Sequence, residues 1–134
     1  GCSMKEITLG ALASATTKVS SENTAVAAQS GSLEVFATPF MVALMEKATC
    51  LAVEPFLEGD ETTVGISINI SHDKASAVGE EITATAKITA VEGRKITFEV
   101  EAVNGFSEKI GGGTIARFAV SGEKFMSKLN TPKE

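Results

Sequence analysis

The chain has 134 residues, of which 43% are hydrophobic and 22% are charged, and its formal net charge is −5 at pH 7. These values predict a single folded domain and exclude a disordered chain. Its Lys and Arg residues form no cluster and it has neither Trp nor Tyr, so we do not expect it to bind nucleic acid. One His, two Cys and no cation-binding loop motif predict no metal site, and no apolar run is long enough to span a membrane.

The first residues and the cysteines bear on where the protein works. Residues 1–3 (Gly-Cys-Ser) precede Met4 and are interpreted as a remnant of an expression tag, so residues 4–134 are expected to form the domain. That interpretation leaves Cys50, in an apolar segment, as the one native cysteine. A disulfide framework is therefore excluded, and we expect a reduced, cytoplasmic protein.

A well-marked helix follows a weakly patterned first segment. Short strands over residues 7–13, 16–19 and 24–28 are compatible with that segment. The helix is predicted over residues 40–51, with the Thr38 hydroxyl as its N-cap and Pro39 at the first helical position. It is apolar around most of its circumference, which predicts that it is largely buried, and Pro55 ends or kinks it.

Alternating hydrophobicity predicts four strands after this helix, over residues 62–72, 82–91, 96–103 and 108–120. Glu92-Gly93 and Asn104-Gly105 are turn signals, and Gly111–Gly113 suggests a bulge or a close backbone approach. The polar tail from residue 121 is expected to be partly frayed. A meander covers a single helix on one side only, so we predict an α+β protein that is at least a dimer.

His72 is the only histidine and the first candidate for catalysis. Alternation places Val64, Ile66, Ile68 and Ile70 on one strand face, and His72 is the next position on that face. An imidazole titrates near neutral pH, so His72 is the best candidate for a general base. The competing interpretation is a histidine at a strand end with a purely structural role.

Thr38 and Glu46 are the other polar residues in apolar surroundings. Thr38 is either a helix cap or, beside a base, a nucleophile or hydrogen-bond donor to substrate. Glu46 either lies with Lys47 on a solvated helix edge or orients an imidazole or a water. Glu46 is eight positions after Thr38, a rise of about 12 Å along a helix, so the two side chains cannot simply touch. Either the helix start turns back, or the two groups meet different parts of one substrate, or a second subunit completes the site.

Four segments resemble the hotdog-fold acyl-CoA thioesterases, and most closely the fluoroacetyl-CoA thioesterase-like group. They are residues 34–46 (EVFATPFMVALME), 63–65 (TVG) leading to His72, 91–94 (VEGR) and 110–114 (IGGGT). The resemblance implies an antiparallel sheet wrapped around one long helix, a homodimer that could pair further into a tetramer, and an active site near the dimer interface.

The resemblance also implies a catalytic set of Thr38, Glu46 and His72, with Gly65 lining the pocket. Phe36, Arg94 and Arg117 are the further candidates for binding substrate. Ile115 replaces the histidine of the family's Gly-Thr-His-x-Arg motif, and residues 25–33 lack aromatic side chains that could cover the pocket, which favours general thioester hydrolysis over fluoroacetyl specificity.

The expected activity is hydrolysis of a small acyl-CoA without a cofactor. His72, oriented by Glu46, would activate a water while Thr38 or a helix N–H binds the carbonyl region; a covalent route would use Thr38 or Glu46 as nucleophile. The alternative is a dimer that binds acyl-CoA or a related small molecule without hydrolysing it.

Overall fold

The computed structural model describes residues 5–131. Its elements, in chain order, are strand β1 (Leu12–Lys18), helix α1 (Thr38–Val53), a 3-10 turn (Glu54–Phe56), strands β2 (Glu61–His72), β3 (Glu81–Glu92), β4 (Lys95–Val103) and β5 (Lys109–Ser121), and helix α2 (Gly122–Asn130). The predicted tag remnant at residues 1–3 lies outside the described residues.

The five strands form one antiparallel sheet in the order β1-β3-β4-β5-β2. Helix α1 packs chiefly on β1 and β3, and the core lies between it and the curved sheet. Large side chains that are fully buried there include Phe36, Met41, Met45, Ile88, Phe98 and Ile115. The predicted arrangement of an antiparallel sheet around one long helix is confirmed.

A β-bulge at Ile66 changes which residues of β2 face α1. Before it, Gly65 pairs with Arg117; after it, Ile68 pairs with Ile115. Residues directly opposite in an antiparallel pair point to the same face, and strand alternation shifts by one at a bulge. The predicted single stripe from Val64 to His72 is therefore wrong at its start, because Val64 faces away from α1. The bulge also puts Gly65 on the same face as His72.

Two predictions at the ends of the chain are wrong. The first segment contains one seven-residue strand, β1, in place of three short ones, and Thr24 forms only an isolated bridge with Phe36. The tail is not frayed as far as Asn130, because α2 occupies it. Ser121 caps this helix, because its side chain accepts a hydrogen bond from the Lys124 N–H. The helix was not predicted because the segment is polar.

Both predicted turns join neighbouring strands, although one is longer than its sequence suggests. The β3–β4 turn is tight, with Gly93 at φ 62°. The Asn104-Gly105 turn is a five-residue loop in which the Asn104 side chain accepts hydrogen bonds from the N–H groups of Phe106 and Glu108, and Ser107 takes the positive φ. The side-chain turn of Asn104 therefore replaces a two-residue hairpin.

The glycine run in β5 makes the predicted close backbone approach. At Gly113, where φ is 154°, an added Cβ would overlap the carbonyl oxygen of Asn69 in β2. We expect Gly113→Ala to lower the free energy of unfolding by about 2–3 kcal/mol, because one of the two strands must move. Gly105→Ala is the control, since its Cβ would come no closer than 4.0 Å to the Glu81 carbonyl oxygen. Denaturant unfolding of both variants measures the difference, and equal stabilities would contradict the prediction.

Candidate active site

The Thr38 hydroxyl lies beside the His72 imidazole, with 2.7 Å between Thr38 Oγ1 and His72 Nδ1. Thr38 was predicted to cap the helix, but α1 starts one residue earlier than that interpretation requires. Ala37 is the N-cap, and no side chain caps the helix. The Thr38 hydroxyl is therefore free of backbone N–H groups and meets the one histidine.

Gly111 lets His72 come close to the start of α1. His72 is the last residue of β2 and pairs with Gly111 of β5. A Cβ at Gly111 would lie 2.5 Å from the Ser71 carbonyl oxygen and 2.9 Å from Met41 Sδ of α1. Because only a glycine fits there, β2, β5 and the first turn of α1 converge at this point, which brings Thr38 and His72 together.

The two nitrogens of His72 have different surroundings. Nδ1 meets the exposed Thr38 hydroxyl, whereas Nε2 is buried and has no hydrogen-bond partner within residues 5–131. Burial lowers the pKa of His72 below its usual value, and the Lys74 backbone and the Asp73 carboxylate oppose that shift only in part. The imidazole is therefore neutral at pH 7, and Nδ1 is the nitrogen through which it can exchange a proton.

This pKa direction gives a prediction for the pH dependence of activity. A general base acts in its unprotonated form, so activity should fall as the pH drops through the pKa of His72. Because that pKa is lowered, we expect kcat/KM to stay on its plateau at pH 7 and to fall only below the ordinary histidine range, near pH 6.5. A pH profile of kcat/KM measures this, and a midpoint above 6.5 would contradict it.

Glu46 lies in a second polar group, on the same sheet face as the first. Arg117 of β5 donates from Nη1 to Glu46 Oε2 at 3.2 Å, and from Nε to the Thr63 hydroxyl at 2.8 Å. It also donates from Nη2 to the Thr63 carbonyl oxygen at 3.0 Å. A Cβ at Gly65 would lie 2.9 Å from Glu46 Oε2, so the glycine leaves room for the carboxylate. Arg117 is buried, and it holds Glu46, whose side chain stays 35% exposed.

The chain matches known proteins at the level of family. The family model for fluoroacetyl-CoA-specific thioesterases matches residues 19–123. A fluoroacetyl-CoA thioesterase of Streptantibioticus cattleyicolor is 44% identical over 96 residues, which are 72% of this chain and 68% of that protein. The chain belongs to the fluoroacetyl-CoA-specific thioesterase family.

Solved structures agree with this assignment to the thioesterase family. The fluoroacetyl-CoA thioesterase FlK superposes with a TM-score of 0.87 at 34% identity, covering 96% of this chain and 100% of that one. A thioesterase superfamily member from Thermus thermophilus has a TM-score of 0.87 at 28% identity, covering 94% and 93% of the two chains. The predicted hotdog fold and the predicted thioesterase class, a thioester hydrolase, are confirmed.

Within this thioesterase chain, the predicted site residues fall into two groups rather than one. Thr38 with His72 forms the first, and Glu46 with Gly65 and Arg117 forms the second. The expectation that Glu46 orients His72 is wrong for a single chain, because the carboxylate is bonded to Arg117 and the imidazole to Thr38.

Two predicted binding residues are not joined to either group by a side-chain hydrogen bond or an ion pair among residues 5–131. Phe36 is 1% exposed and lines a cavity of about 200 Å³ beside α1, together with Phe40 and Leu44. Arg94 lies in the β3–β4 turn, at the opposite end of β5 from Gly111. Their predicted roles in binding substrate remain predictions.

Two further residues shape the site, and no pattern in the sequence predicted their roles. Thr63 anchors Arg117 through its hydroxyl and its carbonyl oxygen. Met41 packs below Gly111. The alternation of β5 could have indicated that Arg117 faces the helix, since Ile115 and Ala119, two positions to either side of it, are apolar.

None of the helices in residues 5–131 has the length and hydrophobicity needed to cross a membrane.

Proposed function

We propose that this thioesterase hydrolyses short acyl-CoA thioesters with Thr38 as nucleophile and His72 as its general base. The observation that carries the proposal is the 2.7 Å contact between Thr38 Oγ1 and His72 Nδ1. A hydroxyl within hydrogen-bond reach of a neutral imidazole is the arrangement that activates a nucleophile. Direct activation of water through Nε2 is disfavoured, because that atom is buried.

In the first step, Thr38 Oγ1 attacks the thioester carbonyl carbon and its proton passes to His72 Nδ1. The carbon–sulfur bond then breaks, and the CoA sulfur leaves with the proton from the imidazolium. Water hydrolyses the resulting acyl-threonine ester, which gives the free acid and restores the hydroxyl. Thr38 lies in the first turn of α1, where the helix dipole favours the negative charge that develops on the carbonyl oxygen. This chemistry needs no cofactor.

A homodimer through β2 would bring Glu46 to this centre. Thr38 and His72 lie at the C-terminal end of β2, and Glu46 lies beside Gly65 toward its N-terminal end. β2 is an edge strand of the sheet and exposes Ile66 and Ile68, at 50% and 47%. Antiparallel pairing of two copies about an axis near Ile68 would place His72 of one protomer opposite the Gly65 region of the other. Each site would then combine a Thr38–His72 pair with the Glu46 carboxylate of the second protomer.

Glu46 then has a defined task in the second step. A carboxylate held by Arg117, and still partly exposed, can accept a proton from the water that attacks the acyl-threonine. Arg117 is a positioning residue in this scheme, because all three of its hydrogen bonds go to Glu46 and Thr63.

The dimer can be tested by a charge on the exposed edge. We expect Ile68→Lys to convert the protein to monomers and to abolish most activity, since a buried, unpaired ammonium opposes pairing through β2. Leu12→Lys is the matched control, because Leu12 is an exposed apolar residue, at 64%, on the opposite edge strand. Light scattering coupled to gel filtration measures the mass. A dimeric Ile68→Lys variant would contradict the proposed interface.

Hydrolysis itself is tested with a panel of acetyl-, fluoroacetyl-, butyryl- and hexanoyl-CoA and a thiol reagent. We expect catalytic thiol release from the short members. Incubation with substrate followed by rapid acid quench and peptide mass spectrometry should place the acyl group on Thr38. Saturable binding without thiol release would favour the non-catalytic alternative, and an acyl group on Glu46 would contradict the assignment of the nucleophile.

A further inference from the structure

A groove lies on the face of the sheet that points away from α1. Arg117 and Ala119 of β5 face the helix, so Phe118 and Val120 between and beside them face the other way. Helix α2 and the β3–β4 turn form the walls of this groove, which encloses about 260 Å³. We call it the β5–α2 groove; its lining includes Arg94, Phe118, Lys124, Phe125 and Lys128.

The groove combines positive charge with aromatic surface. Three of its lining side chains are cationic and none is a carboxylate, although the protein as a whole carries a net charge of −5. Within residues 5–131, Arg94, Lys124 and Lys128 form no ion pair. Phe118 and Phe125 are 38% and 37% exposed, so part of each ring is open to the groove.

The nearest carboxylates have other partners or a separate cavity. Asp60 and Glu123 line an adjoining cavity that shares Lys124 and Lys128 with the groove. Asp60 accepts hydrogen bonds from the Ser121 hydroxyl at 2.7 Å and from the Glu123 N–H at 3.1 Å. The Lys124 ammonium also helps to lower the pKa of the Asp60 carboxyl, so the two lysines are shared between the cavities, whereas Arg94 lines the groove and not the adjoining cavity.

We propose that the β5–α2 groove binds a phosphorylated adenosine. The cations would bind phosphate oxygens by charge-assisted hydrogen bonds, and the phenylalanine rings offer a stacking surface for the adenine. Two ligands share this chemistry: the nucleotide end of the CoA substrate, and a free adenine nucleotide. The first version rests on the proposed thioesterase function, whereas the second does not.

The position of the groove separates it from the reaction centre. Phe118 is seven positions along β5 from Gly111, which lies beside His72, a distance of about 23 Å along a strand. In the proposed dimer, antiparallel pairing of β2 would bring the groove of one protomer to the same end of the joint sheet as His72 of the other. The family match ends at residue 123, so most of α2 lies outside the matched segment.

The test compares a groove variant with a control of equal charge. The groove variant is Lys124→Gln/Lys128→Gln, and the control is Lys18→Gln/Lys87→Gln, which removes two exposed lysines elsewhere. Calorimetric titration with adenosine 3′,5′-bisphosphate should show binding to the wild type and the control, and at least about tenfold weaker binding to the groove variant. Arg94→Gln should weaken binding as well. Absence of binding to the wild type, or equal binding by all variants, would overturn the proposal.

Kinetics then identify the source of the nucleotide. If the groove binds the substrate, the groove variant should raise KM for acetyl-CoA about tenfold and leave kcat/KM for acetyl-pantetheine unchanged. If calorimetry shows the loss but KM for acetyl-CoA does not change, the ligand is a free nucleotide. If the enzyme hydrolyses neither substrate while the groove still binds nucleotide, the proposed function fails and the groove assignment stands.

Discussion

Thr38→Val should lower kcat for acyl-CoA hydrolysis by about 10²–10⁴-fold, the range expected when a nucleophile or its proton transfer is lost. Valine keeps the shape and β-branching of threonine and removes only the hydroxyl that meets His72 Nδ1. Because no backbone N–H depends on that hydroxyl, helix α1 should form as before. Steady-state kinetics together with thermal unfolding measure the two effects separately.

Thr38→Ser is the matched control, because it restores a hydroxyl at the same position. It should retain activity within about tenfold of the wild type, since serine has more side-chain freedom but the same nucleophilic group. If Thr38→Val stays fully active while folded, the hydroxyl is not the nucleophile. In that case His72 would activate a water molecule directly, and that water would attack the thioester.

Glu46→Gln should reduce kcat by about 10²-fold or more, because the amide cannot accept a proton from the attacking water. The amide oxygen can still accept a hydrogen bond from Arg117 Nη1, so the loss of unfolding free energy should be about 1 kcal/mol. Acid-quench mass spectrometry adds a sharper expectation. The acyl-threonine should accumulate in this variant, since its formation precedes the step that Glu46 serves.

Glu54→Gln is the control for the change of charge. Glu54 is exposed just beyond the end of α1 and makes no ion pair among the described residues. Its substitution should leave kcat unchanged. Loss of acyl-enzyme formation in Glu46→Gln, rather than accumulation, would move Glu46 from the second step to the first.

The sequence predicted the fold well where local patterns decide the structure. Alternation located β2 to β5. The apolar circumference of α1 predicted a helix that is largely buried, and this is wrong within one chain, because one face is exposed and carries Phe40, Lys47 and Leu51. Which residues of β2 face α1 could not be predicted in the same way, because Val64, Ile66, Ile68 and Ile70 alternate without interruption and give no sign of a bulge. The bulge at Ile66 follows from pairing with β5, in which Gly65 and Ser67 oppose the adjacent residues Arg117 and Ala116.

The residues of the candidate site could be predicted from the sequence, but the contacts between them could not. His72 and Thr38 lie 34 positions apart, and their contact depends on Gly111 letting two strands and a helix converge. The Thr-Pro pattern favoured a cap, yet the helix begins at Thr38 itself, which frees the hydroxyl. The partner of Glu46 within its own chain, Arg117, could not be predicted, because their ion pair depends on the register of β2 and β5, a tertiary property.

The central claim is that each active site combines Thr38 and His72 of one protomer with Glu46 of the other. It is tested most directly by mixing the inactive Thr38→Val and Glu46→Gln variants under conditions that exchange subunits. Heterodimers contain one site with both substitutions and one with neither, so activity should rise to about a quarter of the wild-type value at equal mixing. If exchange is confirmed by mass spectrometry and activity stays at the level of the separate variants, the site lies within one chain and the claim is wrong.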